Sequence, residues 1–289
     1  MTNSRAPGDG CLLIVNADDY GLTPGVSRAV IDAHRAGIVT STSVIALGPA
    51  FAATRPWLDD VPELGTGAHL ALVGEDPPLL SAREIPTLVD GKGRLPMSWR
   101  QFLPRAAAGL IDAEDVHREL GAQLQCLLDA GLTLDHLDTH QNLHLWPMVR
   151  RVVMELGSLH GIRAIRITRS SDRTPVGVTV RRLAGRLDQA CRHAGWACTE
   201  ASTGLDEAGH LAEPAMVQAL FRLAGTGARS AELATHPGAP DDPERHRYRW
   251  SYQWEEELAA LRAPAVRQAV DELGFRLGSF GDLRPIVAG

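Results

Sequence analysis

The 289-residue sequence contains a single lysine, Lys92, so nearly all of its positive charge is arginine, spread along the chain. With 29 basic against 35 acidic residues the formal net charge is −6. That balance excludes a protein held to nucleic acid by a broad basic face. No apolar run approaches the roughly 18–20 residues needed to span a bilayer. The first ten residues are polar, carry Pro7 and Gly8, and lack the apolar stretch of a signal peptide, so they read as a short mobile tail. The four cysteines, Cys11, Cys126, Cys191 and Cys198, form no CxxC pair, and the chain is far too long for a small disulfide-stapled fold. Buried free thiols in a soluble, reduced, cytoplasmic protein are expected. A glycine-rich phosphate turn is missing as well. The first apolar run is followed by NADDYG at 16–21, with two acids where a dinucleotide-binding strand would carry GxGxxG.

What the chain does contain is 44% hydrophobic residues, enough for a substantial core, arranged as short apolar runs alternating with amphipathic helical stretches. Strands are expected at 11–17, 39–47, 64–72, 134–139, 163–168, 196–201, 230–235 and 276–280. Helices are expected at 24–36, 50–58, 104–130, 147–160, 178–194, 213–225 and within 251–273. A Pro/Gly-rich stretch at about 74–104 is too long for an ordinary connection and reads as an insertion near the site. The count and the absence of a linker give a single α/β domain over 11–289, an irregular TIM-like (β/α) barrel, with an open doubly wound sheet as the alternative.

In parallel α/β folds, sites form at the C-terminal ends of strands. Asp18 and Asp19 close the first run, and two adjacent carboxylates there repel unless a cation or donors compensate. His69 interrupts an apolar run in GAHLAL at 67–72. By period two, His136, Asp138 and His140 of HLDTHQNLH share one strand face, which is hard to reconcile with an apolar core. His236 ends ELATHPG at 232–238, before a Pro-Gly turn. Two imidazoles and a carboxylate form a common donor set for a divalent metal with open positions. Tyr20, beside the acids, and Trp146 are candidates to stack on a ligand. Trp250, Tyr252 and Trp254 are stacking candidates as well, with a helix packing on the barrel as the favoured reading. Arg166, at the end of RAIRIT, reads equally as a contact for substrate hydroxyls or a carboxylate and as a plain surface or structural arginine.

These four motifs, in this order and spacing, resemble the YdjC-type (ChbG/HpnK-like) carbohydrate deacetylases, and the similarity runs over about residues 11–285. The resemblance implies an irregular TIM-like barrel and metal-dependent removal of an acetyl group from an N-acetylated amino sugar or glycoconjugate. It implies Asp19, His69 and His140 as metal ligands, Asp18 as general base and His236 as general acid or orienter of the base. It departs at position 142, where asparagine replaces a histidine common in the family; Asn142 is then expected to line the sugar pocket, and His144 to line it or to serve as an alternative ligand. His136 and Asp138 are expected to orient ligating imidazoles. The donor set makes Zn²⁺ the first choice, with Mg²⁺, Mn²⁺, Co²⁺ or Ni²⁺ as alternatives. A homodimer is expected on base rates alone. Hydrolysis of a non-sugar amide or a phosphoester on the same scaffold, and sugar binding without catalysis, are the competing readings.

Overall fold

The structure, a computed structural model, describes residues 10–284, so all but one residue of the expected N-terminal tail lies outside it. In chain order the elements are β1 Leu12–Tyr20, α1 Pro24–Ala36, β2 Ser41–Val44, α2 Phe51–Thr54, β3 Gly65–Leu70, α3 Trp99–Ala107, α4 Ala113–Asp129 and β4 Leu134–Thr139. There follow α5 Pro147–Leu159, α6 Pro175–Ala194, β5 Ala201–Thr203, α7 Glu213–Gly225, β6 Ser230–Thr235, α8 Trp254–Arg262, α9 Pro264–Glu272 and β7 Arg276–Leu277. Every strand pairing is parallel, and the order is β4-β3-β2-β1-β6-β5, with β7 beside the start of β1.

The result is a single α/β fold around a curled parallel sheet. β1 is buried along its whole length, as expected of an inner parallel strand covered on both faces. The edges of the sheet approach each other through residues 163–166. Leu137 N donates to Ala164 O (3.0 Å), Ile165 N to Ala197 O (3.1 Å) and Ala197 N to Arg163 O (2.7 Å). These are isolated bridges, so the strand expected at 163–168 does not form as a ladder. One reason is visible: the Arg166 carbonyl, which would extend the ladder, instead takes a hydrogen bond from the His144 ring (3.1 Å).

Local signals explain most helix ends. Thr23 caps α1 through its hydroxyl to Val26 N, with Pro24 at the first helical position. The long helix expected at 104–130 is two, α3 and α4, because Gly109 (φ +69°) turns the chain and Asp112 caps the second helix. Pro264 likewise divides α8 from α9. Residues 71–98 contain neither helix nor strand. Among the described residues no helix is long and apolar enough to cross a membrane.

Candidate metal centre

The C-terminal ends of β1, β3, β4 and β6 converge on a cleft of about 410 Å³. β1 delivers two carboxylates to it by an irregularity. On a regular strand Asp18 and Asp19 would point to opposite faces. The β1–β2 register shifts between Ala17 and Tyr20, and Asp19 takes φ +66°, rare for a residue with a side chain. That kink turns both acids to the site. A strained backbone of this kind costs on the order of 1–3 kcal/mol and persists only where its surroundings impose it.

Asp19 Oδ1, His69 Nε2 and His140 Nδ1 form a nearly equilateral triangle. Asp19 Oδ1 lies 3.4 Å from His69 Nε2 and 3.3 Å from His140 Nδ1, and the two nitrogens are 3.3 Å apart. Donors about 2.0–2.1 Å from a zinc ion at near-tetrahedral angles are separated by about this much. All three side chains are buried, yet Asp19 Oδ1 receives no hydrogen bond of good geometry. An orphaned buried carboxylate oxygen facing two ring nitrogens fits a cation. A second group, Asp18, His69 and Asp138, is also close enough in principle. Its carboxylates, however, are already occupied by Arg166, with bonds of 2.6 and 2.8 Å to Asp18 and 2.6 Å to Asp138.

Asp138 orients the first group. It lies 2.8 Å from His69 Nδ1, so that nitrogen carries the proton and Nε2 offers its lone pair. Burial by itself would push the His69 pKa down, but Asp138, with Asp18 and Asp19 behind it, holds it at about 9. Burial opposes ionisation of Asp19, and the neighbouring imidazoles outweigh it, leaving its pKa at about 2. In the metal-free protein at neutral pH, His69 therefore carries an extra proton that a cation must displace. Zinc titrated into metal-free protein at pH 7 is expected to release about one proton, with affinity rising toward pH 9. Calorimetry in buffers of different ionisation enthalpy measures this, and heats independent of buffer would contradict it.

His136 lies deeper than its neighbours. Its ring stacks on Phe280 (centroids 3.8 Å apart), meets Asp135 at 2.6 Å and Ser43 at 3.2 Å. Only glycine at position 67 leaves room for it, since a Cβ there would lie 2.2 Å from the ring. His136 reaches Asp138 only through Ser43, whose hydroxyl donates to Asp138 Oδ2 (2.9 Å). His236 flanks the other side of the cleft. Its Nε2 is 3.7 Å from Asp18 Oδ2, its Nδ1 has no hydrogen-bond partner among the described residues, and its backbone N–H is held by the buried Glu257 (2.6 Å).

Three side chains expected at the substrate have other partners. Tyr20 is fully buried and donates its hydroxyl to Thr54 O (2.7 Å), because the kink at Asp19 sends it into the core. His144 is equally buried between Thr139 and the Arg166 carbonyl, and burial lowers its pKa to about 4. It is neither ligand nor pocket wall. Each of the three Arg166 nitrogens donates to a carboxylate, Nε to Glu232 (2.7 Å) and both terminal nitrogens to Asp18, and one of the latter also forms an ion pair with Asp138 (2.6 Å). Asn142 does line the cleft, in a left-handed turn with Gln141.

The aromatic cluster divides between its two readings. Trp254 packs in the core at the start of α8, but Trp250 and Tyr252 line the cleft. Trp250 lies against His140 (5.3 Å) and Tyr252 against His236 (4.8 Å). The loop is tied to the segment after β3: Trp250 donates to Glu75 (3.1 Å), while Tyr248 and Arg247 donate to Asp76 (2.7 and 3.0 Å). Glu75 and Asp76 escape a reading by motif because they lie apart from the His/Asp clusters, whereas Glu232 opens ELATHPG but nothing beside it points to Arg166. Their position along the chain carries no sign of their partners.

The sequence profile of the family described as YdjC-like protein matches residues 12–272. The chain belongs to that family. This YdjC-like protein is 31% identical over 278 residues to the chitooligosaccharide deacetylase of Serratia marcescens, covering 94% of this chain and 99% of that protein. It is 37% identical over 146 residues to a carbohydrate deacetylase of Brevibacillus brevis, a match covering 50% of this chain and only 54% of that relative. Among solved structures, a proposed cellobiose-phosphate cleavage protein of Enterococcus faecalis V583 shares its fold, with a TM-score of 0.77 and 24% identity over 94% of this chain and 98% of that one.

Proposed function

We propose that this YdjC-like protein is a metal-dependent hydrolase that removes the acetyl group from an N-acetylated amino sugar. The observation that carries the reading is the Asp19–His69–His140 triangle on the cleft floor, flanked by Asp18 on one side and His236 on the other. The names of the relatives agree with it. The fold is read as an incomplete (β/α) barrel closed by the bridges at 164, 165 and 197, with 74–104 inserted beside the site. Cys126, Cys191 and Cys198 carry free thiols, which supports a reduced, cytoplasmic setting.

Asp19, His69 and His140 would hold the metal, zinc by preference of the donor set, with magnesium, manganese, cobalt or nickel as alternatives. A divalent cation there supplies polarisation of the acetyl carbonyl and a water acidic enough to lose a proton near neutral pH. Asp18 accepts that proton. The Arg166 fork fixes the plane of its carboxylate, and Asn16 adds a third donor to Oδ1 (2.7 Å). His236, with its backbone clamped by Glu257 and Nδ1 unpaired among the described residues, is placed to donate a proton to the departing amine nitrogen. Asn142 at the lip and the faces of Trp250 and Tyr252 are positioned to bind the sugar ring.

Acetate release from N-acetylglucosamine, its oligomers and their glycosides, with each metal added to metal-free protein, tests the reading. Turnover is expected with at least one metal and is expected to fall about 10²-fold in Asp18→Asn, the usual loss for a missing general base. Phosphate release from generic phosphoesters in place of acetate, or sugar binding with no metal-dependent turnover, would reject it.

A further inference from the structure

Beneath the metal centre the sheet carries a polar row that the proposed reaction leaves unused. In the parallel register Ser43 of β2 pairs with Gly67 of β3, and Gly67 with His136 of β4. Because position 67 has no side chain, the His136 ring lies across the row, and its Nε2 comes to 3.2 Å from Ser43 Oγ. The next row toward the cleft pairs His69 with Asp138. Ser43 itself is fully buried, below the cleft rather than in its wall.

A serine hydroxyl has one proton to give and two lone pairs with which to accept. Among the described residues Ser43 Oγ has three polar neighbours: Asn16 Nδ2 (3.0 Å), Asp138 Oδ2 (2.9 Å) and His136 Nε2 (3.2 Å). Asn16 donates, since the same nitrogen gives its other hydrogen to Asp18 Oδ1 (2.7 Å). Asp138 accepts, as a carboxylate paired with Arg166 (2.6 Å) and His69 (2.8 Å). The single hydroxyl proton therefore goes to Asp138, and His136 Nε2 must donate to the remaining lone pair. His136 Nδ1 donates to Asp135 Oδ1 at 2.6 Å. With both nitrogens donating, the ring is an imidazolium, and the carboxylates of Asp135, Asp138 and Glu232 lie around it.

One hydroxyl thus ties together the two arms of the chemistry. Ser43 and Arg166 both donate to Asp138 Oδ2, which leaves Oδ1 aimed at His69 Nδ1. Ser43 also accepts from Asn16 and so fixes the amide whose other hydrogen points at Asp18. We propose that Ser43 is a positioning residue for the deacetylation, acting through Asp138 on the ligand His69 and through Asn16 on the general base Asp18. Its catalytic consequence rests on the deacetylase reading of the cleft; its direction rests on the hydrogen-bond geometry alone.

In zinc-loaded protein, Ser43→Ala is expected to lower kcat for acetate release from N-acetylglucosamine oligomers about 10-fold at unchanged KM. Zinc affinity should fall by about the same factor, the lower end of the loss when a partner behind a metal ligand is removed. A role in packing alone would lower Tm and leave both constants in place. A double-mutant cycle reads the pairing with Asp138. Adding Ser43→Ala to Asp138→Asn should weaken zinc binding by less than about 2-fold more, because the carboxylate it acts on is gone. Nitrogen-15 spectra of the histidine rings in metal-free protein at pH 7 need neither substrate nor metal, and His136 is assigned by its loss in His136→Gln. Both of its nitrogens are expected to carry protons. Wild-type kcat and zinc affinity in Ser43→Ala, effects that multiply fully with those of Asp138→Asn, or an unprotonated His136 Nε2 would each overturn the proposal. If the wild type binds zinc but releases acetate from no acetylated sugar, the deacetylase reading fails, and Ser43 is judged on zinc affinity and the ring spectra.

Discussion

Replacing His69 with alanine is expected to yield folded protein without bound metal and with acetate release reduced at least about 10⁴-fold. The size of the loss follows from the several kcal/mol that a Lewis acid and its acidified water contribute to amide hydrolysis, at about 1.4 kcal/mol per factor of ten. His69 is the joint of the site, with Nε2 facing Asp19 and His140 and Nδ1 on Asp138. Asp19→Asn should behave alike, because an amide oxygen is a poorer donor and its nitrogen would face two imidazoles. Asp138→Asn gives a graded comparison. It keeps all three donors and removes the charge that orients His69 and pairs with Arg166. Loss of the orienting carboxylate alone typically costs about 10- to 100-fold in metal affinity or activity, and thermal unfolding measured beside the rates separates the loss of the ion pair. Metal content by elemental analysis beside single-substrate rates decides the matter. Stoichiometric metal retained in both His69→Ala and Asp19→Asn would sink the ligand assignment.

The second large effect concerns Arg166, which holds Asp18, Asp138 and Glu232 together while almost wholly buried. Arg166→Met is expected to destabilise the fold by about 3–5 kcal/mol, because removing one partner of a buried ionic cluster strands the others. Activity should fall with it, since Asp18 loses its two-pronged anchor. Arg166→Lys is expected to rescue little, because a point charge cannot reproduce the fork. The pH dependence separates this mechanism from simple loss of packing. Burial opposes ionisation of Asp138, and Arg166 and His69 overcome it, holding its carboxyl well below the usual range. A depressed carboxylate contributes stability that is full above the unfolded value near 4 and is lost as pH falls through the folded one. The wild type should therefore weaken in acid. In Arg166→Met the stranded carboxylates accept protons more readily, so its deficit should shrink as pH falls toward 4. Urea midpoints across about pH 2–8 measure both, and a deficit independent of pH would refute the ionic account.

The aromatic wall shows why part of the site could not be read from the chain. Trp250 and Tyr252 stand two residues apart, next to a helix whose first residue, Trp254, is buried. Nothing local distinguishes a ring that covers a core from one that covers a cleft. Their position depends on Glu75 and Asp76, about 170 residues earlier, which hold the loop across the mouth of the site. Arg166 stayed ambiguous for a related reason. A charged residue at the end of an apolar run signals a site, but whether it meets substrate or buried carboxylates depends on what the other strands bring beneath it.

The motifs themselves determined the donor types, their order and their assignment to strand ends. Asp18–Asp19, His69, Asp138, His140 and His236 all converge at one end of the sheet, because parallel strands present their C-terminal ends together. Period two also places His136, Asp138 and His140 toward the same interior. Depth, direction and partnership were decided only in three dimensions. The left-handed kink at Asp19 overrides strand alternation, bringing two adjacent acids to one site and turning Tyr20 into the core. The curl of the sheet leaves residues 163–166 joined to their neighbours by isolated bridges rather than a ladder. Residue type and local periodicity are properties of the chain. Which buried charge meets which counter-charge depends on segments far apart in sequence, and only their packing brings them within hydrogen-bonding distance.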